Sequence, residues 1–214
     1  MTNDEILRRI DHTLLKAVAS WDDVRKLCGE SVQYKTASVC IPPCYVAPAK
    51  AEFGSALTVC TVIGFPLGYS VTAAKIAEAE QALGEGAAEI DMVINICQVK
   101  NKRFDDVQRE IAALRKCAGN AVLKVIVETC YLSREEKIAL CGIVTDAGAD
   151  FIKTSTGFGT AGAALEDIAL FKAHIGSGVQ IKASGGIKTR EALEAFITAG
   201  AARIGTSSGV ELLA

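Results

Sequence analysis

The sequence predicts an α/β fold, a (β/α)8 TIM barrel, from three observations. Short β-prone runs alternate with helical patterns along the whole chain, which is typical of a parallel sheet covered by helices. No linker or change of composition divides the chain, so residues 1–214 are predicted to form a single domain. A phrase in which a helix stops and a strand begins recurs at Gly86, Gly148 and Gly200. Such repetition favours a closed ring, which leaves no strand edge unpaired, over an open sheet.

The β-prone runs predict seven strands, and an eighth is inferred from the number of strands in such a barrel. Apolar residues dominate each run, and turn-forming residues separate the runs from the helices. The segment 11–14 completes the ring because this type of barrel has eight strands, although its own pattern is weak. The predicted strands are 11–14, 37–41, 57–63, 89–95, 123–128, 151–154, 180–183 and 203–205.

Helix start and stop signals lie between these strands. Ser133 and Glu136 have the spacing of a capping box, and Gly148 is positioned to end the helix that they begin. Thr189 is positioned to cap another helix, which Gly200 stops. These signals support the alternation of strand and helix on which the barrel prediction depends.

Composition and charge exclude several classes of protein. The chain has 23 Lys and Arg residues against 25 Asp and Glu, and a net charge of −2 provides no field for a polyanion or a membrane surface. Neither a membrane span nor a secretory signal is visible, so we expect a cytoplasmic protein without nucleic-acid or membrane partners. The eight cysteines are spread along the chain, which favours reduced thiols. We also expect a homodimer or higher homo-oligomer.

Strand alternation places charged side chains inside the predicted barrel. In strand 89–95 the apolar Ile90 and Met92 face the helices, so the alternate residues point inward. The same argument applies to the strands that carry the interior lysines. The inward set comprises Asp91, Val93, Asn95, Lys124, Glu128, Lys153 and Lys182.

These interior charges have a structural and a catalytic interpretation. An unpaired buried ion costs several kcal/mol, so ion pairs that merely hold the barrel together are one explanation, which stays open for Lys124 with Glu128. Lys153 and Lys182 lie at the carboxyl ends of strands, where barrel enzymes carry their catalytic groups. Close ammonium groups and partial desolvation are both expected to lower the pKa of an interior lysine, which prepares an amine for Schiff-base chemistry.

Two loops predict a phosphate site. A Ser-Gly-Gly phrase at 184–186 follows the seventh strand, and a Gly-Thr-Ser-Ser phrase at 205–208 follows the eighth. Barrels commonly form an anion site from backbone N–H groups at these two positions. Lys188 and Arg190 are candidates to assist, with a solvated surface role as the alternative for each.

Eight sequence phrases together resemble the deoxyribose-phosphate aldolase family. They are IDHTLL at 10–15, SVCI at 38–41, VIGFPLG at 62–68, EIDMV at 89–93, LKVIVET at 123–129, FIKTSTGF at 151–158, IKASGGI at 181–187 and RIGTSS at 203–208. They run in order from one end of the chain to the other. The two lysine phrases are the most specific.

The resemblance implies a class I aldolase that interconverts 2-deoxy-D-ribose 5-phosphate with D-glyceraldehyde 3-phosphate and acetaldehyde, without metal or cofactor. It implies that Lys153 is the Schiff-base nucleophile, Lys182 the neighbouring ammonium and Asp91 a proton relay. Small-molecule sugar phosphates and aldehydes are the implied partners. The implied substrate-binding residues are Asp11, Cys40, Thr156, Gly185, Gly186, Gly205, Ser207 and Ser208; a small core residue is the alternative for Cys40.

One departure and two alternatives remain. Some family members have a lysine after the Thr-Ser-Thr-Gly phrase, whereas Phe158 stands there in this chain, so backbone amides are expected to bind more of the phosphate. A different phosphate-binding barrel enzyme, such as another Schiff-base aldolase or a sugar-phosphate isomerase, is one alternative. A catalytically silent barrel that binds a sugar phosphate or a protein partner is the other.

Overall fold

Eight parallel strands close into a barrel in chain order, as the sequence predicts. The computed structural model describes residues 1–214, and the ring closes where β1 pairs with β8. The predicted eighth strand exists, one residue earlier than expected. The strands are β1 (Ile10–Thr13), β2 (Ser38–Ile41), β3 (Val59–Ile63), β4 (Glu89–Val93), β5 (Val122–Ile126), β6 (Phe151–Lys153), β7 (Gln180–Ser184) and β8 (Arg203–Thr206).

Ten helices connect and flank the strands, and none of them combines the length and the apolar composition needed to span a bilayer. Apolar side chains on the outer faces of the strands pack against the helices and form the main hydrophobic core. The helices are α1 (Asn3–Leu7), α2 (Trp21–Tyr34), α3 (Val46–Phe53), α4 (Thr72–Gly84), α5 (Ile96–Lys100), α6 (Phe104–Ala118), α7 (Arg134–Asp146), α8 (Leu165–His174), α9 (Arg190–Ala199) and α10 (Gly209–Leu213).

The predicted helix signals act at the ends of α7 and α9. The Ser133 hydroxyl accepts a hydrogen bond from the backbone N–H of Glu136, whose side chain accepts one from the Ser133 backbone, which completes the capping box. At Gly148 and Gly200, which follow α7 and α9, the backbone has positive φ, which glycine adopts without steric cost. These glycines let the chain turn from helix to strand within a few residues.

The alternation of inward and outward side chains holds along β4 but fails at its end. Ile90 and Met92 belong to the outer core, and Asp91 lies inside the barrel. Asn95 was predicted to point inward, and this prediction is wrong. Its side chain accepts a hydrogen bond from the backbone N–H of Gln98 and caps α5. The strand ends at Val93, so alternation no longer determines where position 95 points.

A buried ion pair joins two helices to the carboxyl end of β4. Lys75 of α4 is fully buried, and its Nζ donates to the Val93 carbonyl and to Glu110 Oε1 of α6, both at 2.8 Å. Glu110 Oε2 accepts a hydrogen bond from the Asn95 backbone N–H at 3.0 Å. Burial lowers the pKa of Lys75 and raises that of Glu110. Each charge therefore depends on the other for its compensation.

Replacing Glu110 with alanine is expected to lower the free energy of unfolding by about 3–5 kcal/mol, because it leaves the Lys75 ammonium buried without a counter-ion. Urea denaturation measures the effect. Arg109→Ala removes an exposed side chain one position earlier on α6 and serves as the control. Equal stability of the two variants would show that the buried pair contributes nothing.

Candidate active site

One carboxylate at the centre of the barrel contacts three ammonium groups. Asp91 of β4 is fully buried, and its Oδ1 lies 2.8 Å from Lys124 Nζ of β5. Its Oδ2 lies 2.7 Å from Lys153 Nζ of β6 and 2.6 Å from Lys182 Nζ of β7. The register places Asp91 beside Lys124, and Lys153 beside Lys182. Four neighbouring strands thus bring the three residues predicted to be catalytic into direct contact.

Further ion pairs extend this cluster across the barrel. Asp11 of β1 contacts Lys182 and Arg203, and Arg203 also contacts Glu89 of β4 at 3.2 Å. Lys124 lies 2.6 Å from the same Glu89. The interior cluster consists of Asp11, Glu89 and Asp91 with Lys124, Lys153, Lys182 and Arg203.

Burial and opposite charge act against each other on the pKa values of Asp91 and Lys182. Burial raises the pKa of the Asp91 carboxyl, but the three surrounding ammonium groups outweigh it and hold that pKa well below its ordinary value. Burial lowers the pKa of Lys182, but Asp11 and Asp91 outweigh it and hold that pKa above its ordinary value. The expectation that repulsion and desolvation lower the pKa is therefore wrong for Lys182. The two carboxylates therefore favour the charged form of Lys182.

Lys124 and Glu128 do not form the ion pair that the sequence left open. Lys124 pairs with Glu89 and Asp91 instead. Glu128 lies beyond the end of β5 in the left-handed conformation, with φ of 56°. Its carboxylate accepts hydrogen bonds from the Thr156 hydroxyl and, at 3.2 Å, from the Thr156 backbone N–H. Glu128 therefore fixes the loop after β6.

A cavity of about 200 Å³ opens above the cluster at the carboxyl ends of the strands. Lys153 is the member of the cluster that reaches its wall, and Asp91 and Lys182 lie beneath it. The predicted residues that line it are Lys153, Thr156, Gly185, Gly186, Gly205 and Ser207. The predicted residues outside its wall are Asp11, Cys40, Asp91, Lys182 and Ser208.

Glycines in the two predicted phosphate loops serve different purposes. Gly185 and Gly186 have φ of 87° and 77°, which allows a tight turn at the cavity wall. A side chain at Gly205 would place its Cβ 3.1 Å from Lys182 Cε, so glycine leaves the space that Lys182 occupies. One loop therefore needs glycine for its turn, and the other needs it for packing.

Cys40 and Ser208 have local contacts away from the cavity. Cys40 is fully buried in a small cluster with Cys60 and Val62. The backbone N–H of Ser208 donates to the Thr206 hydroxyl at 3.1 Å at the start of α10. Neither residue lines the cavity, and the Ser208 side chain forms no capping hydrogen bond with α10.

A candidate metal-ligand set within the barrel is unsuited to a divalent cation. Cys40, Cys60 and Asp91 bring their ligand atoms within 4.8 Å of one another. However, Asp91 already contacts three ammonium groups, and Lys124 Nζ lies 3.3 Å from Cys60 Sγ. These positive charges oppose a bound metal ion.

The sequence reasoning missed three members of this interior. Glu89 lies two residues before Asp91, and Arg203 lies two residues before Gly205, so each shares the inward face of its strand. Cys60 Sγ contacts Asp91 Oδ1 at 3.2 Å. Applying the same alternation to every strand would have found all three.

Comparison with known proteins places this arrangement in a family. The model of the DeoC/LacD family aldolases matches residues 6–213, nearly the whole chain. The chain belongs to this aldolase family. An aldolase acts on small molecules, in agreement with a closed barrel that has a small cavity above a lysine.

Relatives share both the sequence and the architecture. A deoxyribose-phosphate aldolase of Clostridium botulinum is 62% identical, over 100% of this chain and 96% of its own length. One from Clostridioides difficile is 54% identical, over 97% of this chain and 95% of its own. The tetrameric deoxyribose phosphate aldolase of Aeropyrum pernix has a solved structure with a TM-score of 0.93 and 33% identity. That comparison covers 99% of this chain and 91% of the other.

The Asp11→Asn variant is expected to lose stability less steeply than the wild type as the pH falls from about 5 to about 3. Burial raises the pKa of Asp11, but Lys182, Lys124 and Arg203 hold it below the unfolded value. The charged carboxylate therefore stabilises the fold above the unfolded pKa, and this contribution is lost as the pH falls toward the folded pKa. The free energy of urea unfolding at each pH measures the slope.

Asp146→Asn changes an exposed carboxylate at the end of α7 and is the control for this experiment. Its slope is expected to match that of the wild type. Matching slopes for Asp11→Asn and the wild type would refute the contribution of Asp11.

Proposed function

We propose that the protein reversibly cleaves 2-deoxy-D-ribose 5-phosphate to D-glyceraldehyde 3-phosphate and acetaldehyde through a Schiff base on Lys153. One observation carries this proposal: of the three interior lysines, Lys153 alone lines the cavity, and its Nζ touches the buried Asp91 carboxylate. The activity named for the two clostridial relatives supports the choice of substrate.

The interior cluster has one more cationic side chain than it has carboxylates. Three carboxylates face four cationic side chains, so the cluster has one positive charge in excess when every group is ionised. Schiff-base formation uses the uncharged form of the Lys153 amine. The neutral amine adds to the C1 aldehyde of the open-chain sugar, and loss of water gives an iminium.

The iminium then accepts the electrons of the bond that breaks. When the C3 hydroxyl loses its proton, the C2–C3 bond cleaves, glyceraldehyde 3-phosphate leaves and an enamine remains on Lys153. Protonation of the enamine at C2 and hydrolysis of the new iminium release acetaldehyde and restore the amine. We assign the proton transfers to Asp91 and Lys182, with a water molecule linking them to the substrate.

The loops above the cluster are suited to the phosphate. Gly185, Gly186 and Ser207 line the cavity, and backbone N–H groups at such loops bind anions in barrels of this type. Asp11 lies outside the wall and contacts Lys182, so we assign it a positioning role.

Reduction with borohydride in the presence of acetaldehyde is expected to attach one ethyl group to Lys153, because hydride converts the iminium to a stable secondary amine. Peptide mass mapping locates the adduct. Lys153→Met should give no adduct and should reduce cleavage by at least about three orders of magnitude.

Lys116→Met removes an exposed lysine on α6 and should leave both labelling and turnover as in the wild type. An adduct on a different lysine, or turnover by folded Lys153→Met at a rate near that of the wild type, would overturn the assignment of the nucleophile.

Asp91→Asn is expected to lower kcat by about 10²- to 10⁴-fold, because an amide cannot accept the proton that the carboxylate transfers. Steady-state assays of deoxyribose 5-phosphate cleavage measure the loss, and circular dichroism checks the fold. Asp146→Asn is the control for a change of a single charge. Unchanged kcat in a folded Asp91→Asn variant would exclude the proposed relay.

We further propose that the chain assembles into a homo-oligomer and acts in the cytoplasm. The tetrameric state stated for the Aeropyrum pernix relative supports assembly. All eight cysteines are free thiols, as is usual in a reducing compartment.

A further inference from the structure

Three lysines line the cavity, and they differ in their partners. Lys153 on its floor contacts Asp91. Lys16 and Lys188 at its mouth are exposed, and neither forms an ion pair. The mouth of the cavity therefore has two positive charges without a carboxylate contact, whereas each cation beneath it contacts at least one carboxylate.

Lys16 and the Gly-Gly turn reach the cavity from different loops. Lys16 lies between β1 and α2, and β1 pairs with β8, so its loop stands beside Ser207. Lys188 comes from the loop after β7. The loop after β6 contributes Phe158, which packs edge-to-face on Phe65 at a centroid distance of 5.3 Å and provides no charge.

Asp23, an acidic residue on α2, does not form an ion pair with Lys16. The charge of Lys16 contributes to lowering the pKa of Asp23, but the main causes are the hydrogen bonds from Ser20. The Ser20 hydroxyl and backbone N–H donate to Asp23 Oδ2 at 2.6 and 2.9 Å and form the cap of α2. Asp23 is thus held at its own helix end, and the Lys16 ammonium remains free for a ligand.

We propose that Lys16 binds the phosphate of the substrate and sets the preference for phosphorylated over unphosphorylated sugars. This inference rests on the proposed function, since it assumes a sugar phosphate with C1 at Lys153. The phosphate then lies toward the mouth of the cavity, whose lining includes Gly186, Ser207 and Lys16. Backbone N–H groups donate hydrogen bonds to a phosphate but carry no formal charge. A lysine ammonium adds the positive charge that they lack.

The test compares two substrates that differ only in the phosphate, 2-deoxyribose 5-phosphate and 2-deoxyribose. In Lys16→Met, the ratio of kcat/KM for the phosphorylated sugar to that for the free sugar is expected to fall about tenfold, which corresponds to the loss of one charge-assisted contact. The loss should appear in KM rather than in kcat, because the phosphate takes no part in bond cleavage. Lys16→Arg should restore most of the ratio.

Lys26→Met is the matched control. Lys26 is an exposed lysine on α2 outside the cavity wall, so this variant removes the same charge nearby without touching the site. Its ratio should equal that of the wild type. An unchanged ratio in Lys16→Met, or a loss in Lys26→Met as large as in Lys16→Met, would overturn the role of Lys16.

Failure of the proposed role of Lys16 can be distinguished from failure of the proposed function. If the wild type fails to cleave deoxyribose 5-phosphate, the proposed function fails, and binding of inorganic phosphate measured by calorimetry still tests Lys16. Weaker phosphate binding by Lys16→Met than by Lys26→Met supports the proposal, and equal binding refutes it.

Discussion

Three ammonium groups share one buried carboxylate, and the rest of the interior is arranged around this contact. Asp91 cannot be buried as an anion without them, and Lys124 and Lys182 cannot be buried as cations without carboxylates. Their positions follow from the strand register, because a shift of one residue in β6 would turn Lys153 toward the helices. The geometry of the site is therefore a direct result of barrel closure.

The same cluster explains how one lysine differs from its neighbours. Lys182 lies between Asp11 and Asp91, beneath the cavity, and the two carboxylates keep it charged. Of these two carboxylates, Lys153 contacts only Asp91, and it reaches the cavity wall. The two lysines, which are paired in register on adjacent strands, thus differ in their carboxylate partners and in their access to the cavity.

Much of this arrangement could be predicted from the sequence, because period-two alternation and the positions of the strands determine which residues meet. The same reasoning placed Lys153, Lys182 and Asp91 inside the barrel. It failed for Asn95, where the strand had already ended, and it left the partner of Lys124 open. The direction of the Lys182 pKa shift could not be predicted in this way, because it depends on how many carboxylates surround the ammonium. One of them, Asp11, lies 171 residues away in the sequence.

The stop glycines and the cavity lie at opposite ends of the strands. Gly86, Gly148 and Gly200 turn the chain at the amino ends of β4, β6 and β8, where positive φ leaves little freedom of residue choice. Side chains at the carboxyl ends, such as Lys16 and Phe158, are exposed and lie outside the main hydrophobic core. A library that diversifies the exposed mouth could therefore alter substrate range while the turns that set strand order are left intact.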